Sequence, residues 1–167
     1  MNKKILIIIT LIILVFGTGY FLHDSLNYNN SVFGVSHFNQ DNISFKYPKI
    51  WLSWISDSNY SFIGPHCLME LDIYDINGTS IDDLLELLLH NDSDPQINYT
   101  VLSINQTNVD GIVAYEINSK YDMDEGEYVK FLVFQYNATI YMFYFHSDNL
   151  NKVNNDFNLV KNSIKVK

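Results

Sequence analysis

Cysteine and arginine are the two scarcest chemical resources of this 167-residue chain: Cys67 is the one thiol, and all ten basic residues are lysines. A single cysteine excludes an internal disulfide framework and any zinc site built from several thiolates. Without arginine there is no planar fork to grip phosphate or carboxylate in a bidentate way. Positive charge is short overall, since 19 acidic against 10 basic residues leave a net charge of −9. A surface of that sign repels phosphates, so nucleic acid is excluded as a partner. Motifs of catalysis are missing as well. There is no Gly-x-Ser-x-Gly, no serine followed three positions on by lysine, and no His-Glu-x-x-His. The one Gly-x-Gly, at Gly17 and Gly19, lies inside an apolar stretch and so cradles no nucleotide. What remains is 47% hydrophobic and only 17% charged, enough to build the core of one domain of ordinary size.

The longest apolar run comes first. Residues 5–22, ILIIITLIILVFGTGYFL, carry no charge and follow Lys3 and Lys4. As a helix they would span roughly 27 Å, close to the hydrocarbon thickness of a bilayer. The two lysines stay on the cytoplasmic side, which places the rest of the chain outside. The run reads as an uncleaved anchor. The alternative is a cleaved signal peptide, with Gly17-Thr18-Gly19 supplying the small residues; against it stand the continuation through Tyr20-Phe21-Leu22 and the lack of Ala-x-Ala. Both readings export the domain. The Asn-x-Ser/Thr triplets agree, with Asn at 29, 42, 59, 77, 91, 98, 105 and 137. Eight such triplets stand against roughly 2.4 from random placement, which predicts a glycosylated surface protein; the competing explanation is a general bias of turns toward Asn and Ser.

The expected organisation is a cytoplasmic start at 1–4, a membrane helix or signal anchor at 5–22, a polar Asn-rich linker at 23–37, and one extracytoplasmic domain at 38–167. Alternation predicts strands at 43–47, 60–63 and 67–74, with Trp51 and Trp54 in a turn-rich stretch between the first two. Ser80, with Asp83 three residues on, predicts a capped helix over 80–90 whose apolar stripe is Ile81, Leu84, Leu85 and Leu88. Four further strand-like runs follow at 99–104, 112–118, 127–135 and 139–146, joined by gaps short enough for antiparallel hairpins. Residues 129–134 and 140–145 are apolar at nearly every position, the mark of strands covered on both faces. A last helix, capped by Asp148 or Asn149, repeats Leu150, Val153, Phe157, Val160 and Ile164 and covers the sheet. The class is therefore α+β: a twisted, mainly antiparallel sheet between helices.

Several landmarks are more specific. Phe45-Lys46-Tyr47-Pro48-x-x-Trp51 is a strand ending in Tyr-Pro before a tryptophan. Val109-Asp110-Gly111 precedes Ala114-Tyr115-Glu116, and the final helix exits through residues 160–166 into a short strand. Over residues 38–167 this pattern resembles the PsbP family, named for an extrinsic subunit of photosystem II. The resemblance implies an α/β/α sandwich, here preceded by a transmembrane helix, and a protein that is not an enzyme. An arginine-free, tethered chain rich in Asn triplets departs from a photosystem subunit, so no binding residues are carried over.

Chemistry must therefore be sought residue by residue. Asp122, Asp124, Glu125 and Glu127 place four acids in six residues, an oxygen-rich loop suited to weak calcium binding; Gly126 falls where an EF-hand loop needs a ligand, and a solvated hairpin tip is the plainer reading. Glu70 and Asp72 share a strand face, and Glu116 on a nearby strand would complete an acid/base pair, but no feature of the sequence marks burial or a cleft there. His66-Cys67 would need His146 or His90 within reach to form a thiol site; a small buried thiol is the plainer reading. Tyr74, Tyr121 and Tyr128 are candidates to line a ligand groove. The expected role is a non-enzymatic module, held to the cell membrane by its N-terminal helix and contacting a surface protein. The alternatives are a surface enzyme using carboxylates or a divalent metal, and a purely structural surface component.

Overall fold

The computed structural model describes residues 34–56, 59–76, 80–89, 99–121 and 127–167. The apolar run 5–22 and most of the expected linker lie outside the described residues; among the described residues no helix is long and apolar enough to cross a membrane. Residues 33–167 form one compact unit.

The chain opens with a hairpin. β1 (Val35–Gln40) turns at Asp41-Asn42 into β2 (Ile43–Pro48). Both turn residues have positive φ, 47° and 63°, the twist a two-residue hairpin requires and one that Asp and Asn tolerate. β1 begins inside the segment read as linker. Its burial explains why no period is visible there, because Phe38 is the strand's single buried side chain.

Seven further strands make the main sheet: β3 (Leu52–Ser56), β4 (Asn59–Ile63), β5 (Leu68–Asp75), β6 (Tyr99–Val109), β7 (Ile112–Tyr121), β8 (Tyr128–Tyr136) and β9 (Thr139–Ser147). Their order across the sheet is β3-β4-β5-β9-β8-β7-β6, antiparallel throughout. The stretch holding Trp54, expected as turns, is the edge strand β3, with Trp54 opposite Ser61. An edge strand with both faces open shows no alternation, since Leu52, Trp54 and Ile55 are all exposed.

α1 (Ile81–Leu89) lies on one face of this sheet and α2 (Leu150–Lys161) on the other. β10 (Lys165–Val166) then joins the free side of β2, giving a small sheet β1-β2-β10 that packs on the α2 side. The α2-side core is aromatic: Phe45, Phe62, Phe143, Phe145 and Phe157 are fully buried. On the α1 side, Leu88 meets Ile117, Val129, Phe131, Val133 and Ile140. β8 and β9 are central, and residues 129–134 are buried one after another, which is why their sequence is continuously apolar.

The helix ends follow their caps. Ser80 Oγ accepts from the Asp83 N–H at 3.1 Å, and Asp83 Oδ2 accepts from the Ser80 N–H at 2.8 Å. The Asn149 side chain accepts from the N–H groups of Asn151 and Lys152. Ser80→Ala removes one of the two bonds at α1 and is expected to cost about 1 kcal/mol. The check is the urea midpoint of the variant against wild type at equal m-value.

Candidate functional site

Strand register decides which of the candidate side chains meet. Glu116 on β7 stands opposite Leu132, which stands opposite Phe143, and both of those belong to the α2-side core. Glu70 on β5 stands opposite Tyr144, which packs on the α1 side. Glu116 and Glu70 therefore face opposite sides of the sheet, and the acid/base alternative does not form between them. Side chains alternate across a strand, and relative register between distant strands is set only by pairing.

Glu116 is instead the centre of a lysine clamp. Its Oε1 is 3.0 Å from Lys130 Nζ, and its Oε2 is 3.0 Å from Lys161 Nζ. Lys130 also donates to Asn154 Oδ1 at 2.9 Å, and Lys161 to Thr107 Oγ1 at 3.3 Å. Both ammonium groups sit over the Phe157 ring, at 4.3 and 5.6 Å from its centroid. Burial alone would raise the Glu116 carboxyl. The hydrogen bonds from Lys130 and Lys161, together with their charges, outweigh that and hold it below the usual glutamate range. This cluster bolts α2 to β7 and β8, and the Glu116 carboxylate is taken up by the two lysines.

Cys67 lies in the same core and is buried. Burial pushes its thiol well above the usual range, and the nearby Asp156 carboxylate pushes it further, so it is not a nucleophilic thiolate. His146 packs its ring against Tyr121 and Tyr144 on the α1 side; Cys67 is the small buried thiol, and the Cys–His alternative is not formed with His146. His90 lies outside the described residues.

The α1 side gathers the remaining polar groups. Tyr121 Oη and Tyr144 Oη are 3.1 Å apart, His146 Nε2 is 3.1 Å from Glu127 Oε2, and Tyr74 donates to Asp72 Oδ2 at 3.3 Å. Burial raises the Glu70 and Asp72 carboxyls, with the Asp72 charge adding at Glu70. The Tyr74 phenol is pushed up to about 12 by burial and then by Asp72. Tyr144 is pushed beyond the usual range by burial, by its bond to Tyr121, and by the charges of Glu70 and Glu127. At neutral pH these phenols are neutral hydrogen-bonding groups. Tyr74 and Tyr121 share this side, but Tyr128 packs against the α2-side core, so the three do not line one groove.

Of the proposed calcium ligands, Asp122, Asp124 and Glu125 lie outside the described residues. Glu127 lies within them, and its carboxylate faces His146. Among the described residues no group of three His, Cys, Asp or Glu side chains is arranged to hold a metal ion. The triplet asparagines Asn42, Asn59, Asn105 and Asn137 are all exposed; Asn29, Asn77, Asn91 and Asn98 lie outside the described residues.

The sequence reading missed the apolar edge. Leu52 is 70% exposed, Ile55 57% and Trp54 50%, and Ile63 on β4 pairs with Leu52. The available signal was an uncharged run, Leu52-Ser53-Trp54-Ile55-Ser56, with none of the lysines or prolines that blunt an edge strand.

No family model and no curated protein matches the chain. Solved structures do. Cyanobacterial PsbP (CyanoP) from Synechocystis sp. PCC 6803 superposes with a TM-score of 0.63 at 16% identity, over 81% of this chain and 94% of that one. A protein from Bacteroides thetaiotaomicron VPI-5482 gives 0.56 at 12% identity, over 78% of this chain and 48% of that one. At such identities the likeness is one of fold: the domain has a PsbP-like α+β fold.

Proposed function

We propose that this chain is a membrane-anchored, extracytoplasmic member of the PsbP-like group that works without catalysis, by contact with a surface protein. The observation carrying the reading is that, among the described residues, α1 covers only part of its side of the main sheet. α1 packs over β7, β8 and β9, whereas β3, β4 and β5 present Trp54, Ile63 and Tyr74 as exposed side chains beside the half-buried Glu70 and Asp72. A broad sheet face bearing aromatics and carboxyl groups suits a protein contact better than a small substrate, which needs a concave site. Two of the groups best suited to chemistry are otherwise engaged: Glu116 by two lysines and Cys67 by burial. The uncharged run 5–22 behind Lys3 and Lys4 supports an exported, anchored domain, and the exposure of Asn42, Asn59, Asn105 and Asn137 suits glycosylation there.

The test uses the full chain in its own cells, with p-benzoylphenylalanine at position 74. One discrete crosslinked neighbour is expected, and it should vanish when Glu70→Lys and Asp72→Lys are introduced together. Products no different from those obtained at the exposed position 46 would refute the contact. In parallel, a C-terminal tag should be digested by external protease in intact spheroplasts; a tag cut only after lysis would place the domain inside.

A further inference from the structure

We infer that the chain pairs with a second copy of itself along β3, antiparallel about a two-fold axis at Trp54, so that two main sheets become one. The pairing goes beyond the surface-protein contact proposed above and gives that contact a wider face.

Backbone parity marks β3 as an open edge. Gly64 N–H donates to the Cys67 carbonyl at 2.9 Å, one step beyond the pair Ile63–Leu68. In an antiparallel ladder such bonded pairs recur at every second residue. Tyr60 and Phe62 therefore bond toward β5, while Asn59, Ser61 and Ile63 turn their backbone groups toward β3. Their partners Ser56, Trp54 and Leu52 bond back to β4. That leaves the N–H and C=O groups of Ser53 and Ile55 directed outward, and no described strand takes them up.

These two residues flank Trp54 symmetrically, which makes the strand its own complement. An antiparallel copy with Trp54 opposite Trp54 sets Ser53 opposite Ile55 on either side of the axis, and each such pair exchanges both of its bonds. A two-fold pair of this kind uses the same patch on both partners and closes on itself. The Trp54 side chains then meet at a close, non-bonded position on the α1 side, where Trp54 shares a row with Ser61, Glu70 and Tyr144. Ile55 meets Ser53 on the other side, in a row with Tyr60, Leu71 and Phe143. Each exposed apolar group gains a neighbour on its own face.

Charge permits self-pairing at this edge. Two chains of net charge −9 repel one another, but β3 and β4 hold no charged residue, so closing them desolvates no ion. The opposite edge, β6, is interrupted by a register shift between Val101 and Ser103 and carries the Asn105 triplet, and such irregular edges resist pairing. Joined at β3, the open strands β3, β4 and β5 of one copy run on into those of the other. Both Trp54 side chains lie at the centre, with Glu70, Asp72 and Tyr74 on each flank.

Five residues a side is well below the ~20–30 of a standard interface, so the pair is probed with the full chain at its native density in its own cells. Opposed Cα atoms of a non-bonded pair lie ~4.5 Å apart, within disulfide reach, and the native Cys67 is buried. Under copper–phenanthroline, Trp54→Cys is expected to give a disulfide-linked dimer as its main product. Leu102→Cys, on the exposed β6 edge, should stay monomeric. Adding Ser53→Pro to Trp54→Cys keeps the β3–β4 bonds but removes an outward donor from each copy, and should cut the dimer about ten-fold. With Trp54 intact, p-benzoylphenylalanine at position 55 should yield a product of twice the chain's mass. No dimer from Trp54→Cys, equal dimer from Leu102→Cys, or a dimer indifferent to Ser53→Pro would overturn the inference. So would capture of a different protein at position 55, which would assign the edge to a foreign strand. A dimer with no neighbour at position 74 refutes the surface contact alone, whereas a neighbour there without a dimer refutes the pairing alone.

Discussion

Phe157→Ala is expected to lower the unfolding free energy by about 4 kcal/mol, within the range for a fully buried phenylalanine. Phe157 is 0% exposed and meets the Phe145 ring edge-on at 5.3 Å between centroids. With Val153 and Val160 it forms the buried face through which α2 packs on the main sheet, so truncation opens a cavity between the two. The ring also supplies the face on which Lys130 and Lys161 rest, and its loss leaves those partly desolvated ammonium groups without that attraction. Phe157→Leu keeps most of the volume and is expected to cost less than about 1.5 kcal/mol. Guanidinium unfolding at neutral pH decides. Equal costs for the two variants would mean that α2 is not packed as described.

Glu116→Ala is expected to cost about 3 kcal/mol at neutral pH, the low end of the range for breaking a buried ion pair. The low end applies because the Glu116 and Lys161 side chains each remain 17% exposed. The loss comes less from the missing attraction than from Lys130, which is left with its charge in a position only 6% exposed. The pH dependence carries a sign. The folded-state carboxyl of Glu116 titrates below its usual range, so its contribution is present in full above the ordinary glutamate pKa. It is lost as pH falls through the depressed folded value. The gap between wild type and variant should therefore narrow on acidification and stay constant from neutral to mildly alkaline pH. Glu70 and Asp72 act in the opposite sense, since their raised carboxyls make folding less favourable once pH rises above the usual carboxylate range. Unfolding curves of both proteins across that range test the prediction. A gap that does not change down to strong acid would show that the lysine clamp contributes no linked stability.

Much of the fold could be read from local pattern. The Ser80–Asp83 capping pair, the turn at Asp110-Gly111, and the α2 stripe of Val153, Phe157 and Val160 are all signals written within a few residues of where they act. The unbroken apolar runs of β8 and β9 announced central strands because burial on both faces removes the need for polar residues. The edge strands β1 and β3 escaped notice for the converse reason. One buries a single side chain and the other exposes both faces, so neither has an alternation to detect.

The candidate sites were less legible. The sequence holds Glu70, Asp72 and Glu116 as three acids, but it is the register of β5, β9, β8 and β7 that sends Glu116 to one side of the sheet and the other two to the opposite side. The same register parts Cys67 from His146 and Tyr128 from Tyr121. Composition and spacing alone settled that the chain is α+β, acidic, free of any disulfide framework, and built on a mostly apolar central strand pair, because those properties are sums over residues or short-range periods. Tertiary structure alone decided which charges cancel, which thiol is silenced and which sheet edge stays bare. Those outcomes depend on contacts between residues tens of positions apart, as between Lys161 and Glu116, on strand order, which leaves β3 at the edge, and on register, where a one-residue shift would send each side chain to the other face.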